Sequence, residues 1–265
     1  MNIPPDFSPK KSLGQNFLID ENIARKMIRL FDPQPEDLVI EIGPGFGVLT
    51  KYIVPTGCRY VGIEIDERLV PPLRKAFAAF PNGEIRHADF REVNLTELAA
   101  GKKMRIIGNI PYHITSSLVF AAFEHRAILS DMMLTVQKEV AKRIVAPPDH
   151  KDYGILSVVS QTFARAEIVF HRSKNVFRPR PEVDSAVVRW IFGPPPENLI
   201  DTAFYLKMIK AIFNQRRKTL RRSLAAFLPT NILAALPVDL QRRPESLSIP
   251  ELIRLANALT STRTD

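Results

Sequence analysis

The segment Gly108-Asn109-Ile110-Pro111-Tyr112 places an amide acceptor, a rigid proline turn and an aromatic ring in succession. The Asn109 side-chain oxygen and the Ile110 carbonyl can accept the two hydrogens of an aromatic amine, while Tyr112 offers a face on which a base can stack. An exocyclic adenine nitrogen is a poor nucleophile because its lone pair is delocalised into the ring. Two acceptors on its hydrogens pull it towards a tetrahedral, more reactive state. The bland alternative is a turn with a packed tyrosine.

Three other segments outline a pocket for a nucleoside. Glu41-Ile42-Gly43-Pro44-Gly45-Phe46-Gly47 has glycine at every second position from 43, so the backbone can turn sharply and approach a ligand closely. A dinucleotide fingerprint would need its third glycine at position 48, which is Val48. This offset favours a ligand with no pyrophosphate to seat on a helix N-terminus. Glu64, 21 residues after Gly43, is placed to accept hydrogen bonds from a ribose diol. Asp89 can accept from an exocyclic amine such as adenine N6, or serve only as a turn or helix-cap aspartate.

These residues need elements that bring them together. Leu38–Ile42, Tyr60–Ile65, Glu84–Ala88, Arg105–Gly108 and Met132–Val136 read as strands. Between and after them, 48–54, 67–80, 115–124 and 138–145 read as helices. Such alternation predicts βαβ units and a mostly parallel sheet covered on both faces, with ligands outside the carboxyl ends of the strands. A helix at 155–163 and strands near 166–170 and 186–192 would extend the sheet at one edge. After Pro194-Pro195-Pro196 only helical patterns remain, over 204–213, 215–227, 231–236 and 249–259. The reading therefore divides the chain into residues 1–192 and 193–265.

Composition narrows the partners. The 265 residues include 45% apolar and 25% charged side chains, as in an ordinary globular protein, which argues against a disordered or fibrous chain. One cysteine, Cys58, excludes an internal disulfide and a cysteine metal cluster. The longest apolar run, Leu118–Phe123, is too short to span a membrane, and no apolar stretch follows Lys10 and Lys11, so a cytoplasmic protein is expected. The formal charge is +9, and residues 193–265 carry 11 basic against 6 acidic side chains, the footprint of a polyanion-binding surface. Within 213–224, Phe213, Leu220 and Leu224 are expected on one helical face, leaving Arg216, Arg217, Lys218, Arg221 and Arg222 for phosphates.

The Asn109–Tyr112 segment, the glycine loop, Glu64 and Asp89 together resemble S-adenosylmethionine-dependent adenine N6 methyltransferases. Lys11-Ser12-Leu13-Gly14-Gln15-Asn16-Phe17-Leu18, Val136-Gln137-Lys138-Glu139-Val140-Ala141 and the run from Phe177 to Val188 narrow the likeness. From about residue 10 to 225 the chain is similar to the ribosomal small-subunit rRNA adenine N6,N6-dimethyltransferase family. That resemblance implies an α/β, Rossmann-like doubly wound methyltransferase domain with a smaller, all-helical RNA-binding domain behind it. It places S-adenosyl-L-methionine on Asn16, Leu18, Gly43, Glu64, Asp89 and Asn109, and the target base on Asn109, Tyr112 and Phe177, with Phe177 on the opposite face of the adenine. The implied substrate is a pair of adjacent adenosines near the 3′ end of small-subunit rRNA, met within an assembling 30S subunit by a monomeric enzyme.

Departures from the family pattern are small: Ile110 where leucine is common, Ser117 where proline is frequent, and His87-Ala88 ahead of Asp89. His113 reads as a helix-start residue, because the implied mechanism needs no dedicated base. Large-subunit rRNA adenine methyltransferases of the antibiotic-resistance type share the Gln-Asn-Phe and Asn-Ile-Pro-Tyr segments. The basic segment at 216–218 and the run from Phe177 favour the small-subunit reading. A non-catalytic assembly factor on the same fold is the alternative from another class.

Overall fold

Leu38–Ile42 is buried at all of its positions, as expected of a strand covered on both faces. It belongs to a computed structural model that describes residues 3–4, 6–215, 218–225 and 236–261. The strands are β1 (Phe17–Leu18), β2 (Leu38–Ile42), β3 (Arg59–Glu64), β4 (Gly83–His87), β5 (Met104–Asn109), β6 (Leu129–Gln137), β7 (Ala164–Arg172), β8 (Phe177–Arg178) and β9 (Ser185–Phe192). The helices are α1 (Glu21–Phe31), α2 (Thr50–Ile53), α3 (Val70–Ala76), α4 (Leu95–Ala99), α5 (Thr115–Glu124), α6 (Lys138–Val145), α7 (Ile155–Phe163), α8 (Thr202–Asn214), α9 (Leu220–Leu224) and α10 (Ile249–Ser261).

One sheet runs in the order β4-β3-β2-β5-β6-β9-β7, and β1 pairs with β8 in a separate antiparallel ribbon. Strands β2 to β6 pair in parallel, whereas β9 lies antiparallel on β6. This is the expected doubly wound, Rossmann-like sheet, with the two late strands added at one edge. Chain order reverses between β2 and β5, which opens a crevice at their carboxyl ends.

Several elements differ from expectation. The helix expected from residue 67 begins only at Val70, because Pro71 and Pro72 lack amide hydrogens and fit only a first turn. Gln215 closes α8, so the continuous helix expected over 215–227 is instead the short α9, started at Thr219. Its first amides, of Leu220 and Arg221, donate to the Arg242 and Leu240 carbonyls at 2.8 and 2.9 Å. Phe213, Leu220 and Leu224 are all buried, but on two helices rather than one face. Arg216, Arg217 and most of the helix expected over 231–236 lie outside the described residues.

The chain forms two compact units, one of residues up to 141 with 167–192, the other of 142–166 with the residues from 193 onward. The expected cut at 193 thus assigns 142–166 differently. The physical reason is α7, which is buried on almost every side. Its Phe163 packs edge-on against Tyr205 with centroids 6.3 Å apart, and its Thr162 hydroxyl lies 2.8 Å from the Tyr205 hydroxyl.

In the first unit an ionic clamp joins β5, β6 and β9. Asp131, buried to 4% exposure, accepts from Arg105 Nε at 2.7 Å and Nη2 at 3.0 Å. It also accepts from Arg189 Nε at 3.1 Å and Nη2 at 2.7 Å. Arg105 reaches on to Asp37 at 2.7 Å and to the carbonyls of Asp32 and Phe31, tying α1 to the sheet. Among the described residues no helix is long and apolar enough to cross a membrane.

Candidate active site

The glycine loop after β2 is held in the left-handed region, with φ of 65° at Gly43, 61° at Gly45 and 74° at Gly47. A Cβ on Gly45 would lie 3.0 Å from the Phe17 ring and one on Gly47 2.8 Å from the Phe77 ring. At Gly43 the nearest atom would be 3.9 Å away, so there the torsion alone demands glycine, and the adjacent space is cavity. Phe46 of the same loop packs edge-on against Phe17 (4.8 Å) and Phe7 (5.0 Å).

The cavity beside this loop collects Asn16, Leu18, Gly43, Glu64, Asp89 and Asn109. These are the six positions the resemblance linked to the cofactor. Glu64 is oriented by backbone: its two carboxylate oxygens accept from the Gly45 and Asp66 amides, each at 2.9 Å. Each oxygen keeps a lone pair for a further donor. Burial raises the Glu64 pKa, opposed by those two amides. Asp89 caps the short turn at Phe90–Glu92 through the Arg91 amide and also pairs with the Arg91 guanidinium at 2.5 Å. It therefore fills the capping role and lines the cavity at once, and Arg91 holds its carboxyl below the usual range.

The N-terminal segment reaches this cavity through contacts distant in sequence. Gln15 Nε2 donates to Asp66 Oδ2 at 2.8 Å while its Oε1 accepts from the Lys10 amide at 2.8 Å. Arg68 pairs with Asp66 at 2.6 Å and donates to the Ser8 carbonyl at 3.1 Å. Asp66, fully buried, is a positioning residue that sequence reasoning missed. Its only signal was its place two residues beyond Glu64. Asn109 Nδ2 donates to the Asn16 carbonyl at 2.9 Å, joining the end of β5 to the same segment.

Glu41 also lines the cavity at 1% exposure and accepts from the Tyr60 and Thr50 hydroxyls, each at 2.7 Å. Burial pushes its pKa from 4.5 up to about 7, against the two hydroxyl donors. Between those values the folded protein keeps a proton that the unfolded chain has released, so this contribution to stability is lost as pH rises through about 7. Glu41→Gln keeps the acceptor and removes the ionisation. Its stability relative to the parent should increase as pH rises from about 5 to 8 in ligand-free melting curves. A pH-independent difference would exclude Glu41 as the source.

The residues expected at the target base are less uniformly placed. Asn109 lines the cavity, whereas Tyr112 and Phe177 do not. Tyr112 is half-buried, with its hydroxyl 2.5 Å from Ser185 Oγ. Phe177 is 3% exposed, because β8 pairs Phe177 with Leu18 and folds the ring into the core. It is not displayed as a free stacking face. The Arg172 guanidinium lies 5.0 Å from its ring centroid. His113 is exposed in the short turn before α5, and a Cβ on Gly14 would stand 2.5 Å from its Nδ1.

The pattern of the family described as "Ribosomal RNA adenine dimethylase" matches residues 6–261. The chain belongs to that family. Ribosomal RNA small subunit methyltransferase A of Marinobacter nauticus is 37% identical over 257 residues, covering 96% of this chain and 92% of that protein. The protein of the same name from Geobacillus kaustophilus is 39% identical over 268 residues, with 96% and 92% covered. Among solved structures, the 23S rRNA methyltransferase ErmE is 26% identical with a TM-score of 0.70, covering 92% of this chain and 100% of that one. A dimethyladenosine transferase from Plasmodium falciparum, 24% identical, shares the fold with a TM-score of 0.80 over 93% and 98% of the two chains.

As a ribosomal RNA adenine dimethylase the chain is an S-adenosyl-L-methionine-dependent rRNA methyltransferase. The cavity suits the nucleoside half of that cofactor on two observations. The space beside Gly43 is left open by the missing Cβ, and Glu64 is a buried carboxylate whose orienting amides leave lone pairs free for hydroxyl donors.

Proposed function

We propose that this dimethylase methylates N6 of two adjacent adenosines near the 3′ end of small-subunit rRNA. It acts as a monomer in the cytoplasm, on an assembling 30S subunit. The observation that carries the reading is the convergence of Asn16, Leu18, Gly43, Glu64, Asp89 and Asn109 from separate segments on one cavity at the carboxyl ends of β2 to β5. The small-subunit choice over the large-subunit one rests on relatives named small subunit methyltransferase A at 37% and 39% identity, against 26% for ErmE.

When bound, S-adenosylmethionine supplies a methyl carbon made electrophilic by a cationic sulfur. Glu64 would hold the ribose hydroxyls, Asp89 the adenine amine, and Asn16, Leu18 and Gly43 the remainder. Asn109 Oδ1 and the Ile110 carbonyl accept the two N6 hydrogens of the target base and localise its lone pair for in-line attack. The extra proton on N6 then leaves to water, so no side chain serves as base. The chain's contribution is positioning and hydrogen-bond polarisation. Tyr112 stacks on the target ring, and Phe177 covers the opposite face once it leaves the buried position described above. Mapping methylated adenosines by mass spectrometry in rRNA from cells with and without the protein tests the assignment. Unchanged small-subunit adenosines would overturn it.

The helical unit supplies phosphate contacts in this reading. Lys218, Arg221 and Arg222 are exposed, and none forms an ion pair with another described residue. Neutralising these three with Arg216 and Arg217 should weaken binding to small subunits and leave cofactor affinity unchanged. Each lost contact should reduce the log-log salt slope by about 0.7 to 0.9. An unchanged slope with normal methylation would move the RNA contact elsewhere, to the region of Lys10, Lys11, Arg178 and Arg180.

A further inference from the structure

Arg172, the last residue of β7, is 3% exposed, and no carboxylate of the described residues lies within ion-pair distance of it. Its Nη2 donates to Thr135 Oγ1 and approaches Asn109 Oδ1 at 3.5 Å. Its Nη1 rests 3.6 Å from Met27 Sδ, and its Nε has no hydrogen-bond partner. The guanidinium carbon lies over the Phe177 ring, 5.0 Å from its centroid. A buried cation with no carboxylate in contact, and only the longer-range attraction of Asp20, is costly to hold, and well-packed apolar side chains are often as stable or more so in its place. The fold itself therefore does not call for a charge here. Burial moreover drives the guanidinium pKa down, so the site works against the ion it holds.

What the charge touches gives it a use. Asn109 has an amide that could sit either way round. Its nitrogen is committed to the Asn16 carbonyl at 2.9 Å, and Arg172, a group that can only donate, faces its oxygen. The flipped amide would set NH2 against the guanidinium and oxygen against a carbonyl. Arg172 thus excludes the orientation in which Asn109 would present a donor to the target amine.

We propose that Arg172 is a positioning residue of the target-base site, fixing the orientation in which the Asn109 amide meets the adenine. This rests on the reading of Asn109 as the acceptor for the target amine.

The test uses the full chain with hypomethylated small subunits. Arg172→Met keeps the length of the side chain and removes both the donors and the charge. Its kcat should fall by about 10- to 100-fold, the scale of a misplaced reacting group. Its S-adenosylmethionine affinity should stay within about twofold of the parent, and its melting temperature should hold or rise. In single-turnover reactions Arg172→Met should add no further loss to Asn109→Ala, because it acts through Asn109. Parental kcat in Arg172→Met, additive losses, or a rate that falls only in step with the melting temperature would each overturn the proposal. If Asn109→Ala is inactive and Arg172→Met normal, the Arg172 assignment alone fails. If Asn109→Ala itself transfers methyl groups at the parental rate, the acceptor reading and this proposal fall together.

Discussion

Replacing Asn109 by alanine should lower single-turnover methyl transfer by about 100-fold or more while binding to small subunits persists. Losses of that size follow removal of one preorganised hydrogen-bonding group from a reacting centre. The variant deletes the Oδ1 acceptor and also the Nδ2 donor that meets the Asn16 carbonyl at 2.9 Å. Asn109→Asp separates the two, because it keeps an acceptor oxygen and gives up the donor. Aspartate should therefore retain more transfer than alanine if polarisation of the target amine is the important contribution. Equal loss in both variants would point instead to the link with the N-terminal segment. Near-normal transfer by Asn109→Ala would remove Asn109 from the mechanism.

The largest effect on stability should come from Asp131→Ala. Asp131 is the shared anion of Arg105 and Arg189, with four contacts between 2.7 and 3.1 Å. Removing it leaves Arg189 without a carboxylate partner and Arg105 with Asp37 alone, two guanidinium groups at the junction of β5, β6 and β9. Breaking a buried ion pair by deleting one partner costs about 3–5 kcal/mol. Arg189 is 26% exposed and can turn partly to water, which favours the lower end, about 3 kcal/mol. At about 2–4 °C per kcal/mol this becomes a fall of roughly 6–12 °C in the melting temperature of the first unit. A fall under about 2 °C in thermal melts, well below that range, would show that the clamp is not a major support of the sheet.

The parts of this fold that were legible in the sequence are those with a local signature. Alternating strands and helices, the glycine loop and Glu64 could be read because burial on both faces, left-handed turns and strand ends each leave a short-range pattern. Helix α1 carries such a pattern as well: Asp20 caps its first amides, and Ala24, Met27, Ile28 and Phe31 form its buried stripe. The two-residue strands β1 and β8 are too short to carry any periodicity. Asp66 and Arg172 were illegible for another reason. Their roles depend on partners such as Gln15 and Asn109, which only the tertiary fold brings close. Phe177 looked like a displayed ring because a motif does not report burial. The split at residue 193 followed proline punctuation, whereas the grouping of 142–166 follows from where the apolar faces of α7 find cover.

The pairing of β1 with β8 also bears on how the enzyme is made. Residues 10–18 leave the ribosome before each of their distant anchors has been synthesised. Asp66 comes 51 residues after Gln15, Asn109 comes 93 residues after Asn16, and Phe177 and Arg178 come last of all. Contacts so distant along the chain close slowly, and a nascent domain acquires them only when the later partner has emerged. This segment thus waits unplaced, and the cavity beside Gly43 gains the wall formed by Asn16 and Leu18 only after β8 has cleared the exit tunnel. An enzyme that modifies ribosomal RNA so completes this cavity only when its own chain has been translated as far as β8.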